Sequence, residues 1–178
     1  MTFLDLVKKR QNDRSYLSTP MEREKLARAL EAARLAPSAC NSQPWYFIAV
    51  TDPELKNAIA ERTTSPLIPI NRFVPEAPVI VAVVTERPAL SAQIGGFMKG
   101  KEFNLIDIGI AVEHFCLQAA EDGLGTCMLG WFDEKKVKKL LGLPRHKRVA
   151  LLISVGYPKE TNTRTKIRKA AEDTGEIR

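Results

Sequence analysis

The chain has 178 residues, the length of one domain, and at this size roughly 70% of the unfolded surface can be buried without staples. Hydrophobic residues make up 44% and charged residues 27%, a globular and soluble balance. The net charge is +6 and unevenly placed: residues 1–133 carry −2 and residues 134–178 carry +8. The longest apolar run, Val79–Val84, is far too short to span a membrane. The start, Met1-Thr2-Phe3-Leu4-Asp5, has an acid where a secretory signal needs cations. Cys40, Cys116 and Cys127 cannot all pair, so no disulfide scaffold is expected and the cytoplasm is the expected location. Two histidines, His114 and His146, exclude a three-histidine zinc site.

In chain order, Phe3, Leu6, Val7 and Arg10 share one face of a short first helix. Thr19-Pro20-Met21-Glu22 has the pattern of a capping box, and the second helix is predicted to start there and stop near Ala36, before Pro37. Tyr46–Thr51 is a strand, and Asp52-Pro53 opens a third helix. Residues 63–77 read as a proline-rich loop, and Val79–Thr85 as a central strand. Residues 86–103 read as a long binding loop or lid. A helix from about Asn104 to Asp122 ends at Gly123, and its small residues Gly109, Ala111, Ala119 and Ala120 allow close packing on another helix. Thr126–Trp131 is a strand, Asp133 caps a further helix, and Val149–Tyr157 is the last strand. No linker divides the chain, so residues 1–178 are expected to form a single domain. The alternation of helix and strand by itself suggests a parallel α/β sheet.

The chemistry-bearing residues exclude several classes. Ser38, Cys40 and Ser42 lie in one loop, but neither histidine is spaced to serve as their base. No HExxH, calcium loop or paired cysteines suggest a metal, and no GxGxxG or P-loop suggests a nucleotide fold. Asp107 sits among apolar neighbours, where a helical acid caps or pairs more often than it binds metal. No aromatic residue follows Tyr157 in the basic tail, so a stacking nucleic-acid surface is not expected. What remains is Pro37-Ser38-Ala39-Cys40-Asn41-Ser42-Gln43-Pro44-Trp45, a loop of amides and hydroxyls fixed by two prolines. Such groups suit the edge of a planar heterocycle, although the same residues also make an ordinary helix–strand connection.

Four segments together resemble the nitroreductase family of FMN-dependent oxidoreductases. They are Arg10–Tyr16, Ala36–Trp45, Asp107–Ala111 with Gly123–Cys127, and Val155–Pro158 followed by Lys166 and Arg168. The Ala-Pro-Ser…Asn-x-Gln-Pro-Trp block is the most specific, and the likeness spans residues 3–169. The resemblance implies an α+β fold with a mixed, largely antiparallel sheet flanked by helices, in an intertwined homodimer with FMN at its interface. It implies that Arg10, Asn12 and Arg14, with Lys166 and Arg168, hold the phosphate. Gln11 and Asn12 stand where the family usually has Arg and Ser, so one positive charge is missing at Gln11. Pro37, Ser38, Asn41 and Gln43 would line the ribityl chain and ring, and Leu129-Gly130-Trp131 would pass the N5 side. The resemblance further implies that the flavin carries the chemistry, with no catalytic side chain and no metal. NADH or NADPH would be the donor and a nitroaromatic, quinone or similar small molecule the acceptor, in ping-pong turnover. A flavoprotein of the same fold with another activity (dehalogenation, flavin fragmentation or flavin carriage) is the alternative. The 86–103 loop would overhang the pocket and select the acceptor.

Overall fold

The protein is described by a computed structural model over residues 1–65, 67–87 and 102–178. Most of the 86–103 loop therefore lies outside the described residues, and its expected role with it. Among the described residues, five α-helices and four strands follow in chain order: α1 (Phe3–Lys9), α2 (Arg23–Arg34), β1 (Trp45–Val50), α3 (Pro53–Glu61), β2 (Val79–Thr85), α4 (Phe103–Glu121), β3 (Gly125–Leu129), α5 (Glu134–Leu140) and β4 (Arg148–Gly156).

Local chemistry sets several of these boundaries. Asp52 caps α3 by accepting the Leu55 amide at 2.8 Å, with Pro53 in the first turn. Asp133 caps α5 through the Lys136 amide at 3.1 Å. Gly123 adopts φ +79° just past α4, which lets the Leu124 amide reach back to the Ala119 carbonyl at 2.8 Å. The second helix departs from expectation. It begins at Arg23, not at Thr19, and Glu22 is the N-cap without a side-chain cap bond. The Glu22 carboxylate instead accepts the Tyr157 hydroxyl and pairs with Lys25 at 3.4 Å, so it is unavailable to complete a capping box.

The strands form one sheet in the order β1-β2-β4-β3, and each neighbouring pair is antiparallel. The parallel sheet suggested by alternation is thus corrected, and the α+β architecture holds. The cause is visible at the sheet ends. Val50, the last residue of β1, pairs with Ile80 near the start of β2, so α3 and the loop after it leave and return at one end. Leu129, the last residue of β3, pairs with Leu152 of β4, so α5 makes a similar excursion. A helix between two strands does not make them parallel when the rest of the connection runs back.

The sheet is nevertheless covered on both faces. Val79, Val81 and Val83 of β2 pack with Ile153 and Val155 against α2 and α4. Ile80, Ala82 and Val84 pack with Leu152 against α3 and α5. Successive side chains point to opposite faces, so burial on both sides demands the unbroken apolar run in β2. The small residues of α4 do permit a close helix pairing, and α2 of the same chain supplies it. Ala119, Val112 and Cys116 share a cluster with Leu26, Ala29 and Ala33. Ala111 and Ala120 are also buried, and Gly109 is the exposed member of the four. Helix α1 is different: its capping box of Thr2 and Asp5 is formed, yet none of its residues is buried. Phe3 and Leu4 are 72% and 60% exposed.

Candidate functional site

The chain's N-terminal segment and its tail meet although more than 140 residues separate them. Tyr16 bridges to Pro158, and the Lys159 amide donates to the Ser15 carbonyl at 3.2 Å. The tail then runs back beside residues 10–14. Lys166 Nζ donates to the Val7 carbonyl at 2.5 Å and the Arg10 carbonyl at 2.6 Å. Arg10, Gln11, Asn12, Arg14, Arg164, Lys166 and Arg168 line one cleft of about 350 Å³, with Thr165 and Ile167. Its lining includes no carboxylate. All the residues expected to hold a phosphate are therefore brought together. Arg164, a fifth cation, was not singled out in the sequence. Its signal was the spacing Arg164-x-Lys166-x-Arg168, which in an extended segment places three cations on one side.

The electrostatics of this cleft call for an anion. Arg10 Nη2 pairs with Glu113 of α4 at 2.7 Å, while its Nε is buried without a hydrogen-bond partner. An orphaned guanidinium N–H is costly unless a ligand satisfies it. The Lys166 ammonium is pushed below its ordinary range by burial, then by the charges of Arg168 and Arg10. A phosphate dianion would relieve that crowding and suit the guanidinium forks. The cation set thus fits the phosphate of FMN.

A second cleft of about 490 Å³ adjoins at Arg14, which lines both. Its walls include Asn71, Phe73 and the run Cys127–Trp131 where β3 ends. Leu129 is buried, whereas Gly130 is exposed and a Cβ there would meet nothing within 4 Å, so the backbone is open to close approach. Asn71 holds this wall: its Nδ2 donates to the Trp131 carbonyl at 3.1 Å and the Thr63 carbonyl at 3.0 Å. Asn71 has φ +59°, a local geometry that sequence periodicity does not reveal.

The Pro37–Gln43 loop lies elsewhere. It precedes β1, the sheet edge opposite β3. Within one chain the structure does not bring Pro37, Ser38, Asn41 and Gln43 to the basic cleft, whose lining includes none of them. The loop is held in an unusual shape, with Cys40, Asn41 and Gln43 at φ +51°, +51° and +46°. Strain of this kind persists where the surroundings over-determine it. Here the Ser38 hydroxyl accepts the Gln43 amide at 2.9 Å, and Gln43 Nε2 donates to Asn41 Oδ1 at 3.0 Å. The buried Asp107 carboxylate accepts the Ala39 amide with both oxygens at 3.1 Å. Asp107 is therefore a positioning residue that pins the loop to α4. Asp107→Ala is expected to leave that amide unpaired, cost about 1–3 kcal/mol, and abolish its hydrogen-exchange protection. Native-state exchange read at Ala39 checks this.

The nucleophile and metal readings gain no support. Burial pushes the Cys116 thiol up to about 11, and raises Cys127 as well. His114 Nδ1 lies 3.3 Å from the Ala32 carbonyl, away from the 37–45 loop, and His146 is exposed in a different cleft with Glu86 and Lys147. Among the described residues no group of three His, Cys, Asp or Glu side chains could hold a metal ion. Among them, too, no helix is long and apolar enough to cross a membrane.

The profile of the Nitroreductase family matches residues 7–72 and 69–157. This chain belongs to the nitroreductase family. It has the fold of that family's FMN-dependent oxidoreductases. Among solved structures, a nitroreductase family protein from Clostridium novyi NT superposes with a TM-score of 0.79 at 33% identity, covering 93% of this chain and 89% of that one. Among characterised relatives, the oxygen-insensitive NADPH nitroreductase of Helicobacter pylori is 30% identical over 192 residues, with 88% of this chain and 90% of the relative covered. The iodotyrosine deiodinase of Thermotoga neapolitana is 29% identical, with 86% and 87% covered.

Proposed function

We propose that this chain is an FMN-dependent oxidoreductase that uses NADH or NADPH to reduce nitroaromatics, quinones or similar acceptors. The observation that carries the reading is the cation cleft: an orphaned Arg10 Nε, crowded Lys166 and no carboxylate in the lining, next to an open wall at Gly130. When bound, the flavin supplies the hydride chemistry, and donor and acceptor use one face in turn. The protein's part is to seat and orient it. Arg10, Arg14, Lys166 and Arg168 hold the phosphate, with Asn12 beside them. The exposed Gly130 backbone borders the ring, and Leu129 backs it from the core.

The homodimer belongs to the same proposal. The Pro37–Gln43 loop and the basic cleft sit on opposite sheet edges, so a second copy is needed to bring loop to cleft. Phe3 and Leu4 on α1, and Leu105 and Ile106 on α4, leave apolar surface for that copy to cover. The likeness to an iodotyrosine deiodinase favours one second reading, flavin-dependent dehalogenation.

Steady-state oxidation of NADH and NADPH, with a quinone and with a nitroaromatic, separates the two. Turnover that depends on added FMN supports the reductase. A flavin-loaded protein that oxidises neither nucleotide but, once its flavin is reduced by dithionite, releases halide from a halotyrosine supports the second reading. A protein that retains no flavin after incubation with FMN contradicts both.

A further inference from the structure

We infer that Arg164 supplies the phosphate-facing charge that position 11 lacks, and that Gln11 is the clamp that sets it there. The inference rests on the FMN reading of the cleft. Gln11 lines the cleft, but its own side chain brings no charge. What it brings instead is an acceptor aimed at the tail. Gln11 Oε1 accepts the Arg164 backbone amide at 3.0 Å and the Arg164 Nε at 3.4 Å. The other end of the same amide donates to Asp13 Oδ1 at 3.1 Å and the Asn162 carbonyl at 3.3 Å, which fixes its orientation. Arg164 Nη2 donates to the Asn12 carbonyl.

The guanidinium is thus held along one edge by residues 11 and 12. Among the described residues it forms no salt bridge, and no hydrogen bond engages its Nη1. It lines the same cleft as Arg10, Arg14, Lys166 and Arg168. A guanidinium fixed on one edge, beside a cleft without carboxylates, is pre-organised for an oxyanion on the other. The neutral Gln11 and the anchored charge of Arg164 are two halves of one arrangement.

A purely structural role, clasping the tail to the N-terminal segment, would use the same two contacts. Comparing FMN with riboflavin distinguishes the two roles, because riboflavin lacks the phosphate. We expect Arg164→Ala to weaken FMN binding about tenfold or more, with riboflavin affinity changed less than about twofold. Arg164→Lys, which keeps charge but loses the fork, is expected in between. The decisive variant is Gln11→Arg in the Arg164→Ala background, which moves the charge to position 11 and should recover most FMN affinity. Thermal unfolding of each variant establishes that the fold is kept. The inference is overturned if Arg164→Ala binds FMN like the wild type, if it loses riboflavin equally, or if Gln11→Arg restores nothing. Wild-type protein that binds no FMN would instead overturn the parent reading, and the inference with it.

Discussion

Arg10→Ala is expected to weaken FMN binding by about 1.5–3 kcal/mol, roughly 10- to 150-fold. Two effects add in the same direction. The variant removes a charge-assisted contact to the phosphate from a guanidinium that lines the cleft. It also leaves the Glu113 carboxylate, now paired with Arg10 at 2.7 Å, as an uncompensated negative charge near the ligand. The fold should survive the change. Glu113 is 41% exposed, and an ion pair with one partner so open contributes little to stability. Fluorescence titration with FMN, and with riboflavin as the phosphate-free control, measures the effect. Unchanged FMN affinity would place the phosphate elsewhere.

Phe115→Ala is expected to destabilise the fold by about 3–5 kcal/mol, the largest single effect anticipated in this chain. Phe115 is fully buried in α4, and its ring stacks on Phe47 of β1 at 6.0 Å between centroids and 13° between planes. Removing it opens a cavity between helix and sheet that α4 cannot close, because Ala119 and Cys116 already pack tightly against α2. The same helix carries Asp107 and Glu113, which position the loop and Arg10. Loss of packing at Phe115 should therefore lower both stability and flavin retention. Urea unfolding reads the first, and a midpoint shift equivalent to less than about 1 kcal/mol would show that the core is softer than its packing implies.

These residues also show how much of the molecule could be read from its sequence. The strands and the caps of α3 and α5 were legible because their signals are local: apolar runs, Asp52-Pro53, and Asp133 before α5. The start of α2 was not, because Glu22 is drawn to Tyr157, a partner 135 residues away. Strand direction was not legible from alternation either, since it depends on where the 62–78 segment returns the chain. At the site, Arg10, Arg14, Lys166 and Arg168 were placed by resemblance to a family, and the structure gathers them in one cleft. Asp107 was legible only as an acid in an apolar stretch; its role requires seeing the Ala39 amide bent toward it. Arg164 was hidden among tail charges, because the register of the tail against residues 11–16 is a tertiary property.

In the proposed homodimer the flavin site is a joint product of two chains, with the basic cleft from one and the Pro37–Gln43 loop from the other. Co-expression of two defective variants tests this most directly. One carries Arg10→Ala, and the other carries Asn41→Ala with Gln43→Ala; each alone should retain little FMN. A mixed dimer would contain one site with both defects and one site with neither. Flavin content and affinity of the purified mixed dimer are therefore expected to show one wild-type-like FMN site per dimer. Mixed dimers that hold no more FMN than either parent would contradict the account.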